Sequence, residues 1–252
     1  MKIYMKNLMF LSALLAAVGF VPAVRVQAQT FTTLHHFDGF QGAYPRAGLI
    51  RSNNTLYGTA SNGGGSGPGE VFAMQPDGAG FTNLHGLTVS DGAQPHAGLI
   101  LAGDTLYGTT SGLGNYDTNG NGTVFAIKTN GTGYRTLHSF TALDPTYYTN
   151  SDGKSPRGSL ILSHGTLYGT AAYGGASANG TVFALNTNGT GFTLLHAFTP
   201  LAPLDENYYT NSDGAHPFAE LMLSGNVLFG TAEQGGASGL GTVFSLHCHS
   251  RN

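Results

Sequence analysis

The chain has 252 residues, of which 9% are charged, 39 are Gly and one is Cys, and its formal net charge is −3. Low charge with abundant Gly and aromatics argues against a helical protein, and the aliphatic content argues against a disordered one. The single cysteine excludes an internal disulfide, and thinly scattered basic residues give no surface for neutralising phosphates, so nucleic acid is not an expected partner.

At the start, Lys2 and Lys6 precede an apolar stretch from Leu8 to Val24, and Val26-Gln27-Ala28 offers a small-residue cleavage site. That order predicts a secretory signal peptide over residues 1–28 and a mature domain over residues 29–252, secreted to the periplasm or the extracellular space. Without the leader, seven basic residues face thirteen acidic ones, a formal charge of −6. After it no apolar run approaches 18 residues, so no membrane span is expected once the leader is removed.

Next comes Phe31 to Phe37, read as a strand that stands alone before the first full unit. From there the chain repeats itself. Leu-Tyr-Gly-Thr occurs at Leu56–Thr59, Leu106–Thr109 and Leu167–Thr170, and Leu228-Phe229-Gly230-Thr231 is a fourth copy. Positions 57, 107, 168 and 229 are 50, 61 and 61 residues apart, a period that belongs to repeat architectures. In the second unit four strands are predicted. They are Ala97–Leu101, Thr105–Thr110, Gly122–Lys128 and Tyr134–Phe140, each followed by turn residues. Asn130-Gly131 between the last two predicts a type I′ turn, with positive φ at both residues.

Four strands a, b, c and d in constant order, with no helical periodicity between them, predict an all-β fold. The architecture expected is β-propeller-like, with four blades of four-stranded antiparallel sheet. The final unit stops at its c strand, Gly241–Leu246, so pairing Phe31–Phe37 with that blade would close the ring and remove two orphan edges. An open stack, or part of a larger ring, is the alternative.

These motifs resemble the GloVer (Gloeobacter/Verrucomicrobium) tandem-repeat proteins, predicted exported bacterial proteins. That repeat carries Leu-Tyr-Gly-Thr, Gly-Gly, Gly-Thr-Val-Phe and Leu-His-x-Phe. Here the elements stand at Leu167–Thr170, Gly174-Gly175, Gly180–Phe183 and Leu195–Phe198, with three more copies. The resemblance spans residues 31–246 and implies export and a repeat fold, with no assigned reaction.

Three sets of side chains are candidates for function. Asp91, Asp152 and Asp213 open Asp-Gly-x-x-Pro segments, with Gln41 in the corresponding place of the first unit. Gathered around one mouth of a ring they would suit Ca²⁺, the one cofactor the sequence suggests; held apart, each would form an Asx-type turn. Tyr147, Tyr148, Tyr208 and Tyr209 sit in two insertions of sequence Tyr-Tyr-Thr-Asn-Ser-Asp-Gly, where tyrosine stacking beside polar groups suits a glycan or a surface protein. His35, His85, His138 and His196 share one repeat position on the outermost strand, where an inter-blade or backbone hydrogen bond is expected rather than a metal ring.

No Gly-x-Ser-x-Gly, His-Glu-x-x-His or Cys/His arrangement appears, so no enzyme is expected. Acids that depart from the repeat, such as Glu70, Asp144, Asp205, Glu206 and Glu233, could supply a carboxylate pair for glycosidic chemistry. The sequence reading is therefore a non-catalytic binding or surface-interaction module. A purely structural envelope role, and then a carbohydrate-active propeller enzyme, stand behind it.

Overall fold

Residues 30–65, 67–112 and 120–248 are described in the computed structural model, and the predicted leader with its cleavage site lies outside them. The strands follow the repeat. The first sheet is β1 (Ile50–Ser52), β2 (Thr55–Ala60), β3 (Glu70–Met74) and β4 (Thr82–Gly86). The second is β5 (Ile100–Ala102), β6 (Thr105–Thr110), β7 (Thr123–Lys128) and β8 (Arg135–Ser139). The third is β9 (Ile161–Ser163), β10 (Thr166–Ala171), β11 (Thr181–Asn186) and β12 (Thr193–Ala197). A two-stranded ribbon follows, β13 (Ala202–Pro203) and β14 (Tyr209–Thr210). The fourth repeat gives only β15 (Met222–Ser224), β16 (Val227–Ala232) and β17 (Thr242–His247). Among the described residues the fold is all-β, five antiparallel sheets with one 3₁₀ turn at Val89–Asp91.

The repeat motifs have physical reasons. In every copy the Gly of Leu-Tyr-Gly-Thr lies opposite the Phe of the c strand, as Gly58↔Phe72 and Gly108↔Phe125. A Cβ at Gly108 would stand 2.5 Å from Phe125 Cζ and 2.9 Å from Leu99 Cδ2. The phenylalanine lies flat across the bare backbone, and the strand accepts a weak β-former to bury that ring. The following Thr ties neighbouring sheets together: the Thr59 and Thr170 hydroxyls donate to the carbonyls of Ala97 and Ala219, and that of Thr109 to Pro156.

Between sheets the packing is apolar and periodic. Val71 and Leu99, Val124 and Leu160, and Val182 and Leu221 are each buried in one cluster that joins a sheet to the next. All three valines are fully buried, each worth about 1.5–3 kcal/mol of burial. Tyr57 and Tyr107 lie in the same clusters, which explains the aromatic of the tetrapeptide.

Two expectations differ from what the chain does. At Asn130-Gly131 only the Gly has positive φ (82°), with Gly133 also left-handed (65°). Asn130 Oδ1 instead accepts from the Thr132 amide at 3.0 Å, so the turn is an Asx-stabilised one with a glycine bulge. Nor does Phe31–Phe37 complete the last sheet, which has three strands among the described residues. His35 stacks on Phe81 (3.8 Å) and Phe37 meets Phe72 (5.4 Å), so residues 34–37 lie on the first sheet. They occupy there the place that a preceding sheet's d strand takes elsewhere: His85 stacks on Tyr134 and His138 on Phe192 in the same way.

Candidate functional site

The repeated histidines and aspartates turn out to belong to one device. His85 Nε2 lies 3.1 Å from Asp91 Oδ2, His138 Nε2 3.0 Å from Asp152 Oδ2, and His196 Nε2 2.8 Å from Asp213 Oδ2. Each pair joins a d strand to the Asp-Gly turn that leads into the next sheet. A threonine completes each set. The Thr141 amide and hydroxyl both donate to Asp152, those of Thr199 to Asp213, and those of Thr88 to Asp91.

Burial pushes the Asp152 carboxyl up, but the bonds from His138 and Thr141 outweigh it and hold it below the usual carboxylate range. Asp91 is lowered in the same way against its own burial, by Thr88 and His85. Each carboxylate is thus engaged in its own His–Thr set. Among the described residues no three His, Cys, Asp or Glu side chains gather where they could share an ion.

Asp152 is 4% exposed, so its loss leaves donors buried. We expect Asp152→Asn to lower unfolding stability by about 2 kcal/mol through the weakened charge-assisted bonds. Urea denaturation at pH 7 checks this; an unchanged midpoint would show that the pair contributes nothing.

The two tyrosine insertions are built alike. Asp144 Oδ1 accepts from the amides of Thr146 and Tyr147, and Asp205 Oδ1 from those of Asn207 and Tyr208. Asn150 and Asn211 clamp the other end, each accepting from a Gly amide of its own turn and from one of the following Gly-Gly loop. The Asp144, Asp205, Asn150 and Asn211 side chains are therefore used internally. The rings are left outside: Tyr147, Tyr148, Tyr208 and Tyr209 are 73, 65, 42 and 54% exposed.

Tyr148 alone of the four borders a cleft of about 400 Å³ between the second and third sheets. Its other walls include Tyr173, Lys154, Arg157, Ser111 and Ser155. Neither Lys154 nor Arg157 is in an ion pair among the described residues, although Arg157 lies over the Phe218 ring at 5.5 Å. His96 is beside this group: its pKa is lowered to about 4, by burial first and then by the charges of Arg157 and Arg46. It is neutral at pH 7, and the guanidinium and ammonium groups carry the local charge. In a chain of net negative charge this is a local inversion of sign. The sequence reading missed Lys154 and Arg157, which fill variable slots around Asp-Gly-x-x-Pro; their one signal is that basic residues are scarce.

Asp144 and Asp205 cap loops, and Glu70 is fully buried with Asn83 donating to it at 2.6 Å. Its pKa is raised to about 7, by burial and then by Asp38, against the Asn83 bond.

A family model described as the Gloeobacter/Verrucomicrobia repeat matches residues 16–212. No curated protein matches the sequence. Among solved structures, a nidogen/laminin complex is similar at 17% identity and TM-score 0.37, over 71% of this chain and 68% of that one. A Bacteroides uniformis ATCC 8492 protein, described as a candidate 6-phosphogluconolactonase, is similar at 16% identity and TM-score 0.42. That match covers 79% of this chain, which spans about 50% of the other's length. No described helix is long and apolar enough to cross a membrane.

Proposed function

The chain belongs to the Gloeobacter/Verrucomicrobia repeat family, and from that premise we propose that it is an exported, non-catalytic binding module whose four meanders are β-propeller-like blades. Its site is the cleft between the second and third sheets, and its ligand class is an acidic glycan. One observation carries the reading: two unpaired cations, Lys154 and Arg157, line the same cleft as the tyrosines Tyr148 and Tyr173. A sugar ring stacks on an exposed aromatic face, and a carboxylate or sulfate on that sugar is held by the cations. The hydroxyls of Ser111 and Ser155 border the same space and suit the ring hydroxyls. Carbohydrate hydrolysis has less support, because among the described residues no two carboxylates line the cleft.

Calorimetry with a polyuronate and with a neutral glucan tests the reading. The polyuronate is expected to bind and the glucan to bind at least tenfold more weakly, since one charge contact is worth about 1.4 kcal/mol or more. Arg157→Ala with Lys154→Ala should abolish that preference, Tyr148→Ala should weaken both ligands, and Tyr208→Ala should change neither. If the wild-type chain binds no glycan on a broad array, the binding role fails and a purely structural role in the envelope takes its place.

A further inference from the structure

Three times in this chain one sheet's c-strand valine shares a buried apolar cluster with the leucine just before the next sheet's first strand, and once on each side that junction is missing. Val71, Val124 and Val182 are 0% exposed, whereas Val243 is 82% exposed. Leu99, Leu160 and Leu221 are 6, 1 and 3% exposed, whereas Leu49 is 51% exposed. The fourth sheet thus carries the valine half of the junction and the first sheet carries the leucine half.

The backbone repeats the same asymmetry. In the complete junctions an amide of the later sheet donates to a loop carbonyl of the earlier one: Gln94 to Pro68, Ser155 to Asn121 and His216 to Asn179. The fourth members of those two series are Tyr44 and Leu240, which are 65% and 72% exposed. Residues 34–37 add a third element. Within the complete sheets the d-strand His lies opposite the c-strand Val, as Val71↔His85, Val124↔His138 and Val182↔His196. Among the described residues β17 has no such partner strand, while His35 already rests on the first sheet with its Nε2 buried and unpartnered.

We propose that two copies of this chain associate head to tail, the Val243 face of one docking on the Leu49 face of the other. In that contact residues 34–37 of the second copy become the fourth strand of the first copy's last sheet, with His35 opposite Val243. The occupant is a second copy because the contact needed is the one the chain already makes three times within itself. Strand addition gives the main-chain bonds, and the Val–Leu junction gives the apolar burial. The contact is heterologous, so successive copies form either a closed ring or an open chain, and both meet the expectation.

Sedimentation equilibrium of the exported chain, up to roughly 100 µM, should show more than one chain per particle. Val243→Asp and Leu49→Asp each alter an exposed residue, so far-UV circular dichroism should be unchanged. Each alone should raise the dissociation constant about a hundredfold or more, through a charge buried in the contact. Mixing the two variants should restore particles of two chains, because one intact junction remains. Three outcomes overturn the proposal: a monomeric wild type at every concentration, a Leu49→Asp protein that still assembles alone, or a mixture that stays monomeric.

Discussion

Gly108→Ala is expected to destabilise the protein by about 3 kcal/mol, although it adds one methyl group to a residue in an ordinary extended strand. The added Cβ would stand 2.5 Å from Phe125 Cζ and 2.9 Å from Leu99 Cδ2, and Phe125 is fully buried. The ring cannot retreat, because Tyr134 stacks on it at 5.5 Å and it packs in the cluster that joins the first and second sheets. Overpacking of this kind costs typically 1–3 kcal/mol, and here the clash is doubled. The control is Gly103→Ala, where a Cβ would meet nothing within 4 Å. At that position φ is +61°, so backbone strain alone should cost about 1 kcal/mol. Chemical denaturation of both variants separates the two effects. Equal losses would mean that the conformational freedom of glycine, and not the phenylalanine above it, explains the motif.

That glycine shows where the sequence was legible and where it was not. The repeat identified the units because each motif does the same work in every copy, and Thr105–Thr110 was bounded correctly because its neighbours are turn formers. The histidine position was also readable, since an outer-strand imidazole needs a partner. What could not be read was which side chains meet across a junction. The Asp of one unit serves the His of the strand before it, a pairing that local spacing does not encode. Nor does the sequence show that Asn150 and Asn211, beside those tyrosines, bond their own loops. The position of residues 34–37 was misjudged for a similar reason: edge-strand logic says that an orphan strand should pair, without saying with which copy of the chain. The cleft was invisible because Tyr148 and Ser111 come from different repeats and meet only when the sheets stack.

One departure from the repeat was visible in the sequence and carries a pH signature. Where three units have Gly-Thr-Val-Phe, the first has Gly69-Glu70-Val71-Phe72. The threonines donate to the carbonyl of the preceding Asp: Thr123 to Asp91, Thr181 to Asp152 and Thr242 to Asp213. Glu70 cannot do this when ionised. It is fully buried, its Oε1 has no partner and its pKa is raised from 4.5 to about 7. The folded chain therefore holds a proton that the unfolded chain releases near pH 4.5. Its contribution to stability is fully present below pH 4.5 and falls as pH rises to about 7, by about 1.4 kcal/mol per unit. Over that window the loss amounts to about 3 kcal/mol. Asp91 and Asp152 have the opposite slope, because their pKa values are lowered, and their contribution disappears only as pH falls below the carboxylate range. Glu70→Gln isolates the effect, since the amide keeps the shape and an oxygen acceptor for Asn83 but cannot ionise. Relative to that variant, the wild-type chain is expected to lose about 3 kcal/mol of unfolding stability between pH 4.5 and pH 7. Parallel stability curves for the two proteins would mean that Glu70 ionises without cost, and that its burial is relieved by water or by movement of Gly42, whose backbone lies against the Glu70 carboxyl.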